Sequence, residues 1–332
     1  MSILRSALAA IPLLLASLVP AWADNPFGVM LWPSGGEDVD FLMARARGLG
    51  VAWYRPPSVM VDHWNGTCPS CAAYAKAHMN IALTVRASGD ARHPSKPPAD
   101  MAAYGKALDS ILDQWKPDLL VIEHEEDNPA FYQDTTPGWS GYAAQLDTGC
   151  ALAHKRKIAC TNGGLGGNNA VWLTWHGFLE RNQPDQACDF ARRALPDDAG
   201  ALCSVRAANA AMPETAQKHL ATGQALLRLY KMFPLDMVNF HWQSNDARIL
   251  AEVADYLTRA TGKQVGSNEI SQQRWDGDST KIRPMLRAVF AARMPLAIWF
   301  SIDTPSTASL FEPDGRLRPS GWEFQRQMSG RK

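Results

Sequence analysis

The chain carries no charge of either sign in excess: 33 Lys and Arg stand against 33 Asp and Glu in 332 residues. A general nucleic-acid or membrane-surface binder needs a basic surplus, so neither role is expected. Beyond the first 23 residues no stretch reaches the ~18 apolar residues of a membrane span. No internal repeat and no Pro/Ser-rich linker divides the chain. No Cys/His spacing matches a zinc site, and the 8 His are scattered. No glycine fingerprint follows the first predicted strand, where an open doubly wound sheet would hold a dinucleotide. Gly163-Gly164-Leu165-Gly166-Gly167 lacks the Lys-Ser/Thr of a phosphate loop and reads as a turn.

What is present is an ordinary globular composition, 46% hydrophobic and 20% charged, long enough to bury ~75% of the unfolded surface. The N-terminus reads as an export leader. Arg5 supplies the positive region, Ala7 to Val19 the apolar run, and Ala21-Trp22-Ala23 a small-x-small cleavage site. The expected mature protein is residues 24–332, periplasmic or secreted, with no stable membrane insertion. Export makes disulfides the expected state of Cys68, Cys71, Cys150, Cys160, Cys188 and Cys203. Proximity in sequence suggests 68–71, 150–160 and 188–203. Cys68-Pro69-Ser70-Cys71 also matches a redox motif, but it falls in a predicted loop and not at the helix start that such chemistry needs.

Short apolar runs alternate with amphipathic stretches. The expected strands are 28–32, 51–55, 80–85, 118–123, 157–161, 236–241, 264–267 and 296–300, nearly all apolar, as parallel strands covered on both faces should be. Between them Val39, Leu42, Met43, Ala46 and Leu49 fall at helical spacing. So do Tyr104, Leu108, Ile111 and Trp115, and again Ile249, Leu250, Val253 and Leu257. Eight strands alternating with helices predict a single (β/α)8 TIM barrel over residues 24–332. An elaborated loop, Gly163 to Met212, follows the fifth strand.

In such a barrel the site forms at the C-terminal strand ends. The second predicted strand ends in Arg55. The fourth runs into Glu123-His124-Glu125-Glu126-Asp127-Asn128, the sixth into His241-Trp242, and the seventh into Ser267-Asn268-Glu269. The eighth carries Trp299. Two carboxylates on opposite walls are what acid/base glycoside cleavage needs, one protonated and one ionised. An Arg beside the ionised one keeps its pKa low, and desolvation raises the other's. Some of the 12 Trp would offer apolar faces to sugar rings. Metal-dependent hydrolysis at residues 124–127 is a weaker alternative, because adjacent residues on one strand end cannot all face one ion.

These strand ends resemble those of the (β/α)8 glycoside hydrolases of clan A, such as families 5 and 39. The resemblance implies that Glu125 is the acid/base and Glu269 the nucleophile of a retaining enzyme. It also implies that Arg55 supports the nucleophile, that His241 takes the strand-six His or Tyr position, and that Trp299 forms the sugar-binding floor, with Trp242 nearby. His124 stands where that group usually has the Asn that holds the sugar 2-hydroxyl. The segment Leu310–Gly321 is similar to the closing segment of these barrels. The implied protein is a hydrolase of an extracellular or envelope polysaccharide that needs no metal or organic cofactor. The alternative is a catalytically silent carbohydrate-binding barrel. Glu123 and Glu125 are expected on one face of the strand by alternation, with Glu126 elsewhere.

Overall fold

In the computed structural model the residues described are 24–30, 38–68, 70–75, 77–90, 92–273, 277–301, 309–312 and 314–329. The proposed leader lies outside them, as does Trp32 at the end of the first expected strand.

Nine strands form: β1 (Phe27–Met30), β2 (Trp53–Arg55), β3 (Val59–Met60), β4 (Asn80–Arg86), β5 (Leu119–Ile122), β6 (Ala159–Asn162), β7 (Met237–Gln243), β8 (Gln264–Ser271) and β9 (Ala297–Trp299). Eight of them correspond to the eight expected runs. β3 is a two-residue addition that pairs beside β4. The strands are parallel in the order β6-β5-β4-β2-β1-β9-β8-β7. Between β7 and β6 the ring closes without a regular ladder. A single bridge joins Leu165 to Phe240, and the Asn162 Oδ1 accepts the Asn239 N–H at 2.7 Å. The result is a closed (β/α)8 barrel.

The helices are α1 (Val39–Gly48), α2 (Cys71–Ala75), α3 (Met101–Trp115), α4 (Ser140–Lys155), α5 (Gly167–Glu180), α6 (Pro184–Ala194), α7 (Ala199–Ser204), α8 (Glu214–Met232), α9 (Ala247–Thr261), α10 (Ile282–Ala291) and α11 (Pro319–Ser329). Local signals set their ends. Asp100 and Asp246 accept two backbone N–H groups each at the starts of α3 and α9, and Gly262 ends α9 in the left-handed region. The stripes expected on α1, α3 and α9 are buried. The segment expected as a loop after the fifth main strand is instead helical. It forms α5, α6 and α7, because its apolar residues, Trp172 and Trp175 among them, repeat at helical spacing and are buried. Disulfides join Cys68–Cys71, Cys150–Cys160 and Cys188–Cys203, the last tying α6 to α7.

Two apolar layers result from the period-2 alternation of the strands. Inside the barrel lie Met30, Trp53, Ala82, Leu119, Val121, Met237 and Ile298; between strands and helices lies the larger core. The same parity moves Trp299 off the expected sugar-binding floor. Ile298 points in, so Trp299 points out, where it is 0% exposed and meets Phe324 of α11 edge-on at 5.5 Å. The next inward residue is Phe300, packed on the inner layer. Trp299→Ala is therefore expected to lower the unfolding free energy by about 3–5 kcal/mol in denaturant titration. A loss below about 1 kcal/mol would contradict this placement.

Candidate active site

Above the apolar floor the inward positions turn polar, two residues further along each strand. Thr84, Asn239 and Asn268 come first, then Arg55, His241 and Glu269, all buried. Two irregularities aim the last of these. The β7–β8 register shifts between Asn239 and His241, and the β8–β9 register shifts between Ser267 and Ile270. Such bulges redirect side chains at barrel rims.

Glu269 is held by Arg55, whose Nη1 lies 2.8 Å from Glu269 Oε2; Gln243 Nε2 donates to the other oxygen at 3.1 Å. Burial pushes the Glu269 carboxyl up, but the nearby charges, His241 and Arg55 foremost, outweigh it, so its pKa falls below the usual range. Glu125 sits across the mouth. Its Oε2 accepts from Asn128 Nδ2 at 2.8 Å, and its Oε1 lies 2.9 Å from His241 Nδ1. That same nitrogen is 3.7 Å from Glu269 Oε2. The gap between these two carboxylate oxygens cannot exceed the sum of those distances, which only reaches the bottom of the ~6.5–9.5 Å range of inverting enzymes.

The proton inventory follows from the hydrogen bonds. Asn239 Oδ1 accepts the Asn268 backbone N–H, which fixes Asn239 Nδ2 as the donor to Asn268 Oδ1 at 2.7 Å. Asn268 Oδ1 therefore accepts again from His241 Nε2 at 2.9 Å, so Nε2 carries a hydrogen. The Nδ1–Oε1 contact then needs one proton, on His241 or on Glu125. Burial lowers the His241 pKa, but Glu269 and Glu125 more than offset this and raise it. Burial likewise raises Glu125, and the His241 hydrogen bond and charge bring it below the ordinary value. The expectation that desolvation raises the Glu125 pKa is thus reversed by an imidazolium partner.

His124 is placed differently from its neighbours. Its Nδ1 faces Arg55 Nη2 at 3.3 Å. A guanidinium only donates, so Nδ1 accepts and Nε2 holds the hydrogen. Burial first of all, with nearby cations, keeps His124 neutral, its pKa well below normal. The ring packs edge-on against Phe131 at 4.6 Å. His124, His241 and Glu269 bring three ligating atoms within 4.8 Å, but the Arg55 guanidinium already occupies the cation position among them.

The alternation expected for Glu123 and Glu125 fails because β5 ends at Ile122. Glu123 and Glu125 both have positive φ, 73° and 44°, a strained setting for non-glycine residues. Glu123 swings outward. Its Oε1 accepts from Ala87 N at 2.7 Å and Gln145 Nε2 at 2.6 Å. Glu126 turns into a separate buried space, accepting from Asn162 Nδ2 and from the Tyr230 hydroxyl. Glu125 alone of the three lines the cleft. With Glu126 turned away, residues 124–127 do not converge on one ion.

The cleft holds about 600 Å³ and runs from Glu125 past Asp127 and Asn128 to α5, α6 and the start of α9. Trp242 lines it but is only 3% exposed, its ring against Phe240. His241, 2% exposed, spends its nitrogens on protein partners. Sequence reasoning placed Asn128, Asn239, Gln243 and Asn268 at the polar strand ends but gave them no role. That of Asn268 could have been found by its place next to Glu269.

No family model and no curated protein matches the chain. Solved structures do. A family 39 glycoside hydrolase from Bacteroides cellulosilyticus WH2 superposes with TM-score 0.57 at 14% identity, over 92% of this chain and 63% of that one. The chain thus spans less than two thirds of that enzyme. A broad-specificity family 5 endoglucanase from Clostridium longisporum gives 0.54 at 9% identity, over 90% and 87%. A family 128 (subgroup VII) oligosaccharide-binding protein from Cryptococcus neoformans gives 0.51 at 13%, over 93% and 95%. The fold is that of the clan A (β/α)8 glycoside hydrolases.

Burial raises Glu123 and Glu126 from the ordinary carboxyl value of 4.5 to about 7 each. The folded protein thus keeps protons that the unfolded chain releases above pH 4.5, and stability falls as pH rises from there through 7. Glu123→Gln keeps the acceptor and removes the charge. It is expected to raise the unfolding free energy at pH 8 by an amount on the order of 3 kcal/mol, and with it the melting temperature, but not at pH 4. Calorimetry across that range checks it; an unchanged pH dependence would contradict the assignment.

Proposed function

We propose that the protein is a retaining glycoside hydrolase of an extracellular or envelope polysaccharide, exported after loss of residues 1–23. Glu125 acts as acid/base and Glu269 as nucleophile. The observation that carries this reading is the single nitrogen, His241 Nδ1, lying 2.9 Å from Glu125 and 3.7 Å from Glu269. It favours the ~5–5.5 Å separation of retaining enzymes, which leaves no room for a water between carboxylate and sugar. The clan A fold and the three disulfides agree with it.

In the first step the proton shared by Glu125 and His241 passes to the leaving oxygen. Glu269, kept ionised and oriented by Arg55, attacks the anomeric carbon and forms a glycosyl ester. In the second step Glu125 takes a proton from water, the water oxygen attacks the anomeric carbon, and Glu269 departs. The neutral His124 offers its Nε2 hydrogen to the sugar 2-hydroxyl, the task that Asn performs in the group it resembles. No step needs a metal or organic cofactor.

A second reading, a carbohydrate-binding barrel without turnover, is favoured by the likeness to the oligosaccharide-binding protein. A polysaccharide and oligosaccharide panel separates the two: hydrolysis with retained anomeric configuration supports the enzyme, and calorimetric binding without products supports the binder. Glu269→Gln is expected to lower kcat at least 1,000-fold, on the order of 4 kcal/mol. Full activity in that variant would remove the site assignment.

The acid limb of the pH–rate profile should follow the lowered Glu269 carboxyl. The alkaline limb should follow loss of the shared proton, above the ordinary His value of ~6.5. In His241→Gln the alkaline limb should move to lower pH; an unmoved limb would show that His241 does not share the proton.

A further inference from the structure

Beyond the acid pair, the far wall of the cleft is built by the inserted helices and not by strand ends. Asp127 Oδ1 accepts the Gly166 N–H at 2.9 Å, and its Oδ2 accepts Asn169 Nδ2 at 2.5 Å. This fixes the Asn169 amide, so its Oδ1 faces His219 Nδ1 as an acceptor, at 2.5 Å. His219 Nδ1 therefore carries the hydrogen, and Nε2 is a bare lone pair with no partner among the described residues. The ring cannot easily turn. It lies flat on Trp172, centroids 5.6 Å apart and planes 7° apart. Burial and Lys218 lower its pKa, which keeps the imidazole neutral.

Asp127, Gly166, Asn169 and His219 line the cleft that contains Glu125, with Trp172 behind the His219 ring. Glu269 lies outside that lining, so the wall is on the acid/base side of the scissile bond, where the leaving group departs. The cleft presents carboxylates from Glu125, Asp127 and Asp246. Among the described residues its one guanidinium, Arg193, is matched by Glu252 at 2.9 Å and Asp189 at 3.3 Å, and His241 is matched by Glu125. Such a wall suits hydroxyl groups and repels an acidic sugar.

We propose that His219, set by Asn169 and Asp127, forms a leaving-group sugar subsite in which Nε2 accepts a hydrogen bond from a hydroxyl of a neutral glycan. The proposal rests on the hydrolase reading for its direction along the substrate.

The test uses the full protein and His219→Phe, which keeps the stacking on Trp172 and loses the acceptor, with His219→Ala beside it. Substrates are neutral gluco-, manno- and xylo-oligosaccharides and the aryl glycosides of the same sugars. Loss of one neutral hydrogen bond is worth about tenfold. The ratio of kcat/KM for oligosaccharide over aryl glycoside should fall about tenfold in both variants, through KM. An unchanged ratio overturns the proposal. A second arm needs no turnover: calorimetric affinity of the Glu125→Gln protein for a neutral hexasaccharide should fall about tenfold when His219→Phe is added. If the wild type turns over no glycan but this drop is seen, the hydrolase reading fails and the subsite stands. If affinity is unchanged, or oligouronates bind more tightly than neutral oligosaccharides, the subsite fails.

Discussion

One oxygen, Oδ1 of Asn268, accepts hydrogen bonds from Asn239 and His241 at once, and the arrangement of the barrel mouth depends on it. It joins a buried chain that runs from Tyr230 through Glu126, Asn162, Asn239 and Asn268 to His241 and ends on Glu125. In a low-dielectric interior such a chain is costly to break, because a missing member leaves its neighbours unpaired. The network therefore keeps a hydrogen on His241 Nε2, so that the contact between Nδ1 and Glu125 must share one further proton.

The same setting explains why similar carboxylates behave in opposite ways. Glu123, Glu125, Glu126 and Glu269 are all largely removed from water. The two with cations at close range, Glu125 and Glu269, stay acidic; the two whose hydrogen bonds come from neutral donors, Glu123 and Glu126, hold their protons to about 7, with Arg86 offsetting the burial of Glu123 only in small part. Partner identity, not burial, decides the charge.

Much of this was legible in the sequence. The alternation of apolar runs and helical stripes gives the barrel, and the polar strand ends bring Arg55, Glu125, His241 and Glu269 together. Period-2 alternation, carried past Ile122, misplaced Glu123, because two positive-φ residues interrupt the strand there. Parity was also what the motif-level likeness overlooked at Trp299: a match in sequence position does not say which face of β9 the ring occupies. Asn169 and His219 left no sequence signal, since they meet only through the packing of α5 on α8. There Gly223 lies against Leu173, with no space for a side chain.

The seam between β6 and β7 has one further consequence. Everywhere else around the ring, backbone ladders tie neighbouring strands; here one bridge and the Asn162 and Asn239 side chains do the work. The inserted helices leave the barrel at this seam. A change in their length disturbs almost no ladder, while the asparagine pair keeps the ring shut. The fold has thus placed its most variation-tolerant connection beside the cleft, where new insertions can reshape the cleft wall without reopening the problem of how the barrel closes.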